Sequence, residues 1–182
     1  MAELLPLLPS ELPLQEADSL DISWWGDTST SFGIGISVGP FWNVWAWASG
    51  FTVGPGHGYD IGWAEAVAVE LGLLTALHHS LLAHRPRSRN AVLVRSDNLP
   101  VVHVLSGGRS QSQSTNCVLK RIYRLCACHG IHLHAVHVAS RANVTDTLSR
   151  GDVNAFLAGF PTATTCSSMD LPVPFIGKLR LW

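Results

Sequence analysis

Residues 22–38, ISWWGDTSTSFGIGISV, decide how the rest of the chain is read. Phe32, Ile34, Ile36 and Val38 alternate with the small Gly33, Gly35 and Ser37. A period of two with one apolar side predicts a β-strand, and the whole stretch reads as one strand. Asp27 interrupts it. A carboxylate beside an apolar strand is unfavourable unless a cation or hydrogen bonds compensate it. Three more acids stand in comparable places. Glu65 opens the helical pattern IGWAEAVAVELGLLTAL, Asp97 ends the apolar run AVLVRSDN, and Asp146 lies in RANVTDTLSRG after another strand-like run. The 182 residues include only thirteen Asp and Glu, so four beside the most apolar segments call for a common cause. Hard divalent cations, bound by several carboxylate oxygens, are the compensation this pattern favours.

Outward from that strand the chain alternates its periods. Gly39-Pro40 predicts a turn, and residues 41–53 a second strand bent near Ser49-Gly50. GPGHGYD reads as a loop, with a short third strand near its edges that the pattern does not place. Residues 61–84 read as a helix, with Ala64, Ala68, Leu71, Leu74, Leu77 and Leu81 on one stripe. Glu65 shares a face with Ala68, Val69 and Gly72, small enough for close approach to a sheet. Glu70 lies about 140° further round and is expected outside the same site. Residues 91–96 read as a buried strand, 99–105 as a short helix, and GGRSQSQS as a loop. Ser112 or Ser114 is expected to cap a helix that stops at Gly130. Val118, Leu119, Ile122, Leu125 and Cys126 face inward on it; Lys120, Arg121 and Arg124 face out. Residues 131–138 read as a strand, and a helix from Asn143 carries Asp146. The order is an α/β layer architecture with an antiparallel start and parallel additions through helical crossovers.

Composition narrows the class further. Apolar residues make up 47% and charged residues 14%, enough for one domain with a real core. The expected organisation is an irregular N-terminal arm over 1–20, a domain over 21–160 and an irregular tail over 161–182. The leucine-rich start is broken by Pro6, Pro9 and Pro13 and lacks a basic lead-in, so it does not read as a signal peptide. It reads as an arm tucked on the domain, with docking to another part of a polyprotein as the alternative. No uninterrupted apolar stretch reaches membrane-spanning length, and no membrane partner is expected. Cys117, Cys126, Cys128 and Cys166 read as reduced thiols, the helical ones buried, in an intracellular protein of cytoplasmic or nuclear setting. Cys126, Cys128 and His129 lack a second ligand pair for tetrahedral zinc. Net charge is −1, but residues 1–84 hold nine acids and no Lys or Arg, while residues 85–182 hold twelve basic and four acidic groups. An anionic site beside a cationic surface follows from that division.

Four local strings then resemble one family in order. GDTSTSFGIG is similar to a first-strand Asp followed by small hydroxyl residues and a glycine-bearing strand. IGWAEAVAVE is similar to a helix-borne Glu motif. RSDNLPVVHVLSGG resembles a second Asp at a strand end with its following helix. HVASRANVTDTLSRG resembles a closing motif in which an Asn precedes the last Asp and Leu-Ser-Arg follows. The intervals, 27 to 65, 65 to 97 and 97 to 146, are 38, 32 and 49 residues. Together these resemble the ribonuclease H domains of retroelement reverse transcriptases over about residues 22–160, with RGDVNAFLAGF loosely resembling fungal members.

The resemblance implies a ribonuclease H-like mixed sheet of about five strands with flanking helices. It implies that Asp27, Glu65, Asp97 and Asp146 are catalytic ligands for two Mg²⁺ ions, with Mn²⁺ as the substitute. The substrate would be an RNA–DNA hybrid, the products a 3′-hydroxyl and a 5′-phosphate, and a further partner the reverse transcriptase portion of a polyprotein. Thr28, Ser29 and Asn98 flank the acids with suitable donors and acceptors, and 2′-OH contacts would select RNA. Arg109, Lys120, Arg121 and Arg124 are candidates for phosphate contacts. His137, nine residues before Asp146, is either a catalytic proton carrier or a histidine that ends a strand; both readings stand. His132 and His134 lie on the opposite face and read as structural. The basic protrusion of some members is not obvious here. Each acid also has an ordinary explanation: a turn cap for Asp27, a helix start for Asp97-Asn98, a first-turn acid for Glu65 and for Asp146. A catalytically weak or inactive binding or connecting module is therefore the alternative, and another nuclease or strand-transfer enzyme on the same fold a third.

Overall fold

The structure is a computed structural model and describes residues 19–83 and 91–182. Seven strands form one mixed sheet. β1 (Trp24–Thr28), β2 (Gly33–Val38) and β3 (Phe41–Trp47) make an antiparallel meander. Helix α1 (Ile61–His78) crosses to β4 (Ala91–Ser96), which lies parallel to β1. Helices α2 (Leu99–Gly107) and α3 (Gln113–His129) lead to β5 (His132–His137), parallel to β4. The single turn α4 (Asp146–Ser149) and helix α5 (Val153–Gly159) follow. The two-residue β6 (Thr165–Cys166) and β7 (Leu179–Leu181) end the chain, giving the order β5-β4-β1-β2-β3-β6 with β7 also on β3. The mixed α/β sheet with flanking helices is as expected, with seven strands in place of about five.

The stretch 22–38 is two strands, not one. Ser29 and Ser31 pair their hydroxyls across a turn closed by Ser29 N–H donating to the Gly33 carbonyl at 2.8 Å. Within the polar run Thr-Ser-Thr-Ser, the Ser29–Ser31 pair favours a turn over a continuing strand. The strand expected over 41–53 ends at Trp47. Helix α1 stops at His78, short of residue 84, because Ser80 takes a left-handed φ of 56° and the Leu81 N–H bonds back to the Ala76 carbonyl. Asp60 caps its start by accepting from the Trp63 N–H. Ser112 caps α3, and Gly130 ends it at φ 59°.

Helices α1, α2 and α3 share one face of the sheet, and α1 is buried on nearly all sides. Its composition and length would suit a membrane span, but 72% of that window is buried inside the molecule. It is a core helix between sheet and α3. Two glycines set its distance. Gly72 lies under the Trp24 indole, and Gly26 faces the Ala68 methyl. On the opposite face α4 and α5 form a smaller core of Val44, Leu148, Phe156 and Ala163.

The segment 161–182 is not an irregular tail. β6 and β7 pair with opposite ends of β3, and Ala163, Met169, Phe175 and Leu179 are buried. Of the expected N-terminal arm, residues 1–18 lie outside the described residues. Leu20 bridges to Val92 beside β4. Among the cysteines only Cys126 is buried, which pushes its thiol up to about 11; Cys117, Cys128 and Cys166 are exposed.

Candidate active site

Three carboxylates converge where parallel strands end. β1 and β4 are in register at Trp25 and Arg95, so Asp27 and Asp97, two residues further along each, reach the same edge. Their neighbour β5 ends there too, with His137 opposite Ser96. Helix α1 presents Glu65 from above, brought in by the close Gly26–Ala68 approach one turn away. One oxygen each from Asp27, Glu65 and Asp97 lie within 4.8 Å of one another. Asp27 and Glu65 are buried. Glu65 rather than Glu70 is the helix member of the cluster, as its face predicted.

The fourth expected acid enters from the other side. Gly35 is paired with Asp27 across the meander and has no side chain. A Cβ there would lie 2.7 Å from the Ser149 nitrogen, so only glycine lets α4 sit directly on β2. That seat brings Asp146 and Ser149 to Asp27. Asp146 shares a cleft of about 250 Å³ with Asp27, Thr28, Glu65, Asp97, Asn98, Ser140 and Arg150. It is not one of the three clustered acids, and Arg150 holds its carboxylate with contacts of 2.9–3.2 Å.

Neutral donors hold the inner acids. Thr28 donates its hydroxyl to Glu65 at 2.7 Å. Ser149 donates to Asp27 Oδ2 in a short hydrogen bond. The Asn143 amide donates to Asp27 Oδ1 at 3.2 Å, to Asp97 Oδ1 at 3.1 Å and to the Gly26 carbonyl at 3.2 Å. Its own oxygen accepts from the Thr145 N–H and hydroxyl, so the buried amide uses both ends. Among the described residues no ion pair reaches Asp27, Glu65 or Asp97. For Asp27 and Glu65, burial is the leading influence on protonation. It raises Asp27 to about 7, with Ser149 opposing and Asp97 and Asp146 adding repulsion. It raises Glu65 to about 8, with Thr28 opposing and Asp27 adding repulsion. Such a cluster of hard oxygen donors, short of positive charge, fits one or more divalent cations.

The remaining candidates divide. Asn98 lines the cleft while its side chain caps α2 through the Val101 N–H. Ser29 faces Ser31, and its carbonyl accepts from the Trp47 indole. His137 is exposed, with Nε2 3.2 Å from the Asp97 carbonyl oxygen. Arg109, Lys120 and Arg124 are exposed on the α2–α3 loop and on α3, and none lines the cleft. Arg121 is a correction. Its guanidinium makes two 2.7 Å contacts to the buried Glu70 and lies over the Phe175 ring, so it does not face out as a free phosphate contact. His134, read as structural, meets the Ser19 hydroxyl at 2.7 Å.

Sequence reasoning did not single out Asn143, Ser149 or Arg150 as site residues. The signal was the string around Asp146, where polar side chains at spacings of three and four fall on Asp146's own side of a turn.

No protein-family model matches the chain, and no curated protein matches its sequence. Among solved structures it is similar to RNase H1 from the halophilic archaeon Halobacterium salinarum, at 19% identity. The match covers 72% of this chain and 94% of that one, with a TM-score of 0.44.

Proposed function

We propose that this chain is a metal-dependent endoribonuclease of the ribonuclease H type. It hydrolyses the RNA strand of RNA–DNA hybrids by a two-metal mechanism and is part of, or derived from, a retroelement reverse transcriptase. The observation that carries the reading is the convergence of Asp27, Glu65 and Asp97 within 4.8 Å, with no ion-pair partner among the described residues.

Asp27, Glu65 and Asp97 would hold Mg²⁺ or Mn²⁺, with Asp146 completing the set at the rim. Bound there, such ions polarise a phosphodiester and make a water more acidic. The chain's own residues do the rest. Asn143 and Ser149 fix the Asp27 carboxylate, and Thr28 fixes that of Glu65, so the acids need no reorganisation when charge develops. Water adds to phosphorus, and the bond from phosphorus to the 3′-oxygen breaks, leaving a 3′-hydroxyl and a 5′-phosphate. His137, beside Asp97 and open to solvent, carries a proton to the departing 3′-oxygen. Thr28 and Asn98 line the cleft, Ser29 follows Thr28 into the adjoining turn, and these three would supply contacts to the ribose 2′-OH. Arg109, Lys120 and Arg124 add charge for a duplex long enough to pass over α2 and α3.

The experiment is cleavage of a labelled RNA–DNA hybrid in Mg²⁺, with duplex DNA and single strands alongside and Asp97→Asn as control. Cleavage confined to the RNA strand and lost in the variant supports the reading; no cleavage by the unsubstituted protein, or equal cleavage by both, rejects it. One observation favours the second reading, a binding or connecting module with little catalysis: Asp146 lies outside the three-acid cluster and is paired with Arg150. Hybrid binding without cleavage, and no uptake of Mn²⁺ by calorimetry, is the result that reading requires.

A further inference from the structure

Among the described residues, Arg150 is the one basic residue lining the acidic cleft. It follows α4, one helical turn after Asp146, and grips that carboxylate through Nε at 3.1 and 3.2 Å and Nη2 at 2.9 Å. The charge of Asp27 reaches it as well. Yet the pair is exposed, with side chains 65% and 43% accessible, and exposed pairs at this spacing contribute little to stability. Its neighbours are held quite differently. Asp27 is buried and fixed by Ser149 and Asn143, and Ser149 is itself tied to the Asp146 carbonyl at 2.9 Å. The backbone at this point is tied into the site by the Ser149 hydroxyl, while the guanidinium lies exposed at the surface.

We infer that Arg150 is an exchangeable cation of the cleft. It occupies Asp146 in the metal-free protein, yields that carboxylate to a divalent ion, and then engages a phosphate of the substrate backbone. The inference rests on the nuclease reading and deepens it. A guanidinium and a divalent ion repel each other, so each weakens the other's hold on Asp146. The planar fork that fits a carboxylate with two parallel donors fits a phosphate equally well. The exposed arm leaves the guanidinium free to turn from one to the other without moving the backbone. Arg150 thereby supplies, inside the cleft, the phosphate contact that Arg121 cannot, since Arg121 is locked on Glu70.

The signature is a change of opposite sign in two binding measurements on Arg150→Ala. Calorimetry with Mn²⁺ alone should show binding tightened about three- to tenfold, because a competing positive charge is gone. Fluorescence anisotropy with a labelled RNA–DNA hybrid in Ca²⁺, with gels to verify that the hybrid stays intact, should show binding weakened about tenfold. The slope of log affinity against log salt should become shallower by about 0.9, one phosphate contact fewer. Arg150→Lys, which keeps the charge and loses the fork, should restore the salt slope but not the full hybrid affinity. Unchanged Mn²⁺ affinity in Arg150→Ala, or unchanged hybrid affinity and slope, overturns the inference while leaving the nuclease reading intact. An unsubstituted protein that neither takes up Mn²⁺ nor binds the hybrid overturns both. Thermal melting of each variant controls for folding, and the exposure of Arg150 predicts no shift there.

Discussion

Glu65 and Glu70 sit on one helix, five residues apart, each 3% exposed, and their surroundings differ in one respect. Glu70 faces α3 and meets Arg121 through two 2.7 Å contacts. Burial still raises its carboxyl, but the guanidinium opposes that. Glu65 faces the end of the sheet and meets a threonine hydroxyl and two other acids. The first is a closed account of charge that ties two helices together. The second is left open toward a positive ion from outside. A buried carboxylate alone therefore says little about function; whether the fold supplies its counter-charge separates the two roles.

That contrast can be broken at several points. The largest effect is expected at the open end: Asp97→Asn should lower the rate of hybrid cleavage by on the order of 10³, about 4 kcal/mol in the barrier, measured in single-turnover reactions. At the closed end, Arg121→Ala should destabilise the protein by roughly 3–5 kcal/mol in urea unfolding, because it strands a buried charge. Equal stability of that variant would show that Glu70 needs no partner. A graded effect at the open end comes from pH. Asp27 and Glu65 have folded values raised to about 7 and about 8, above their ordinary carboxyl range. Groups raised in this way contribute stability that is full below pH 4 and lost as pH rises toward 8. The metal-free protein should therefore lose up to about 1.4 kcal/mol per pH unit per group within that window, where other groups do not intervene. Asp27→Asn with Glu65→Gln should flatten the profile of Tm against pH, and added Mn²⁺ should recover stability most at the alkaline end. Gly35→Ala should cost about 1–3 kcal/mol by forcing α4 off β2, and should weaken Mn²⁺ uptake along with it. Least affected should be Lys120→Ala and Arg124→Ala, within about 0.5 kcal/mol in unfolding, with a modest uniform loss of hybrid affinity.

Much of this arrangement is legible in the sequence. β4 and α3 follow from an apolar run and from the Ser112 and Gly130 signals at the two helix ends. Glu65 was separable from Glu70 because helical geometry gives each a different face. What escaped reading has a common physical cause, contacts between residues distant in sequence. Arg121 reads as outward-facing on α3 alone, and its partner is 51 residues away on another helix. Ser149 and Asn143 reach Asp27 across 122 and 116 residues. The break at Ser29–Ser31 was hidden because alternation resumes immediately after it. β6 and β7 are too short, at two and three residues, to leave a periodic trace.

The placement of β6 and β7 has a practical consequence. Both lie on the outer border of β3, whose sequence is FWNVWAW. Without them that border would offer unpaired amides and carbonyls flanked by three tryptophans, a template for strand-to-strand self-association. A shortened chain ending near residue 160, where the apolar periodicity fades, would keep all four acids and lose its protection against aggregation. Its insolubility would then be mistaken for a failure of the site.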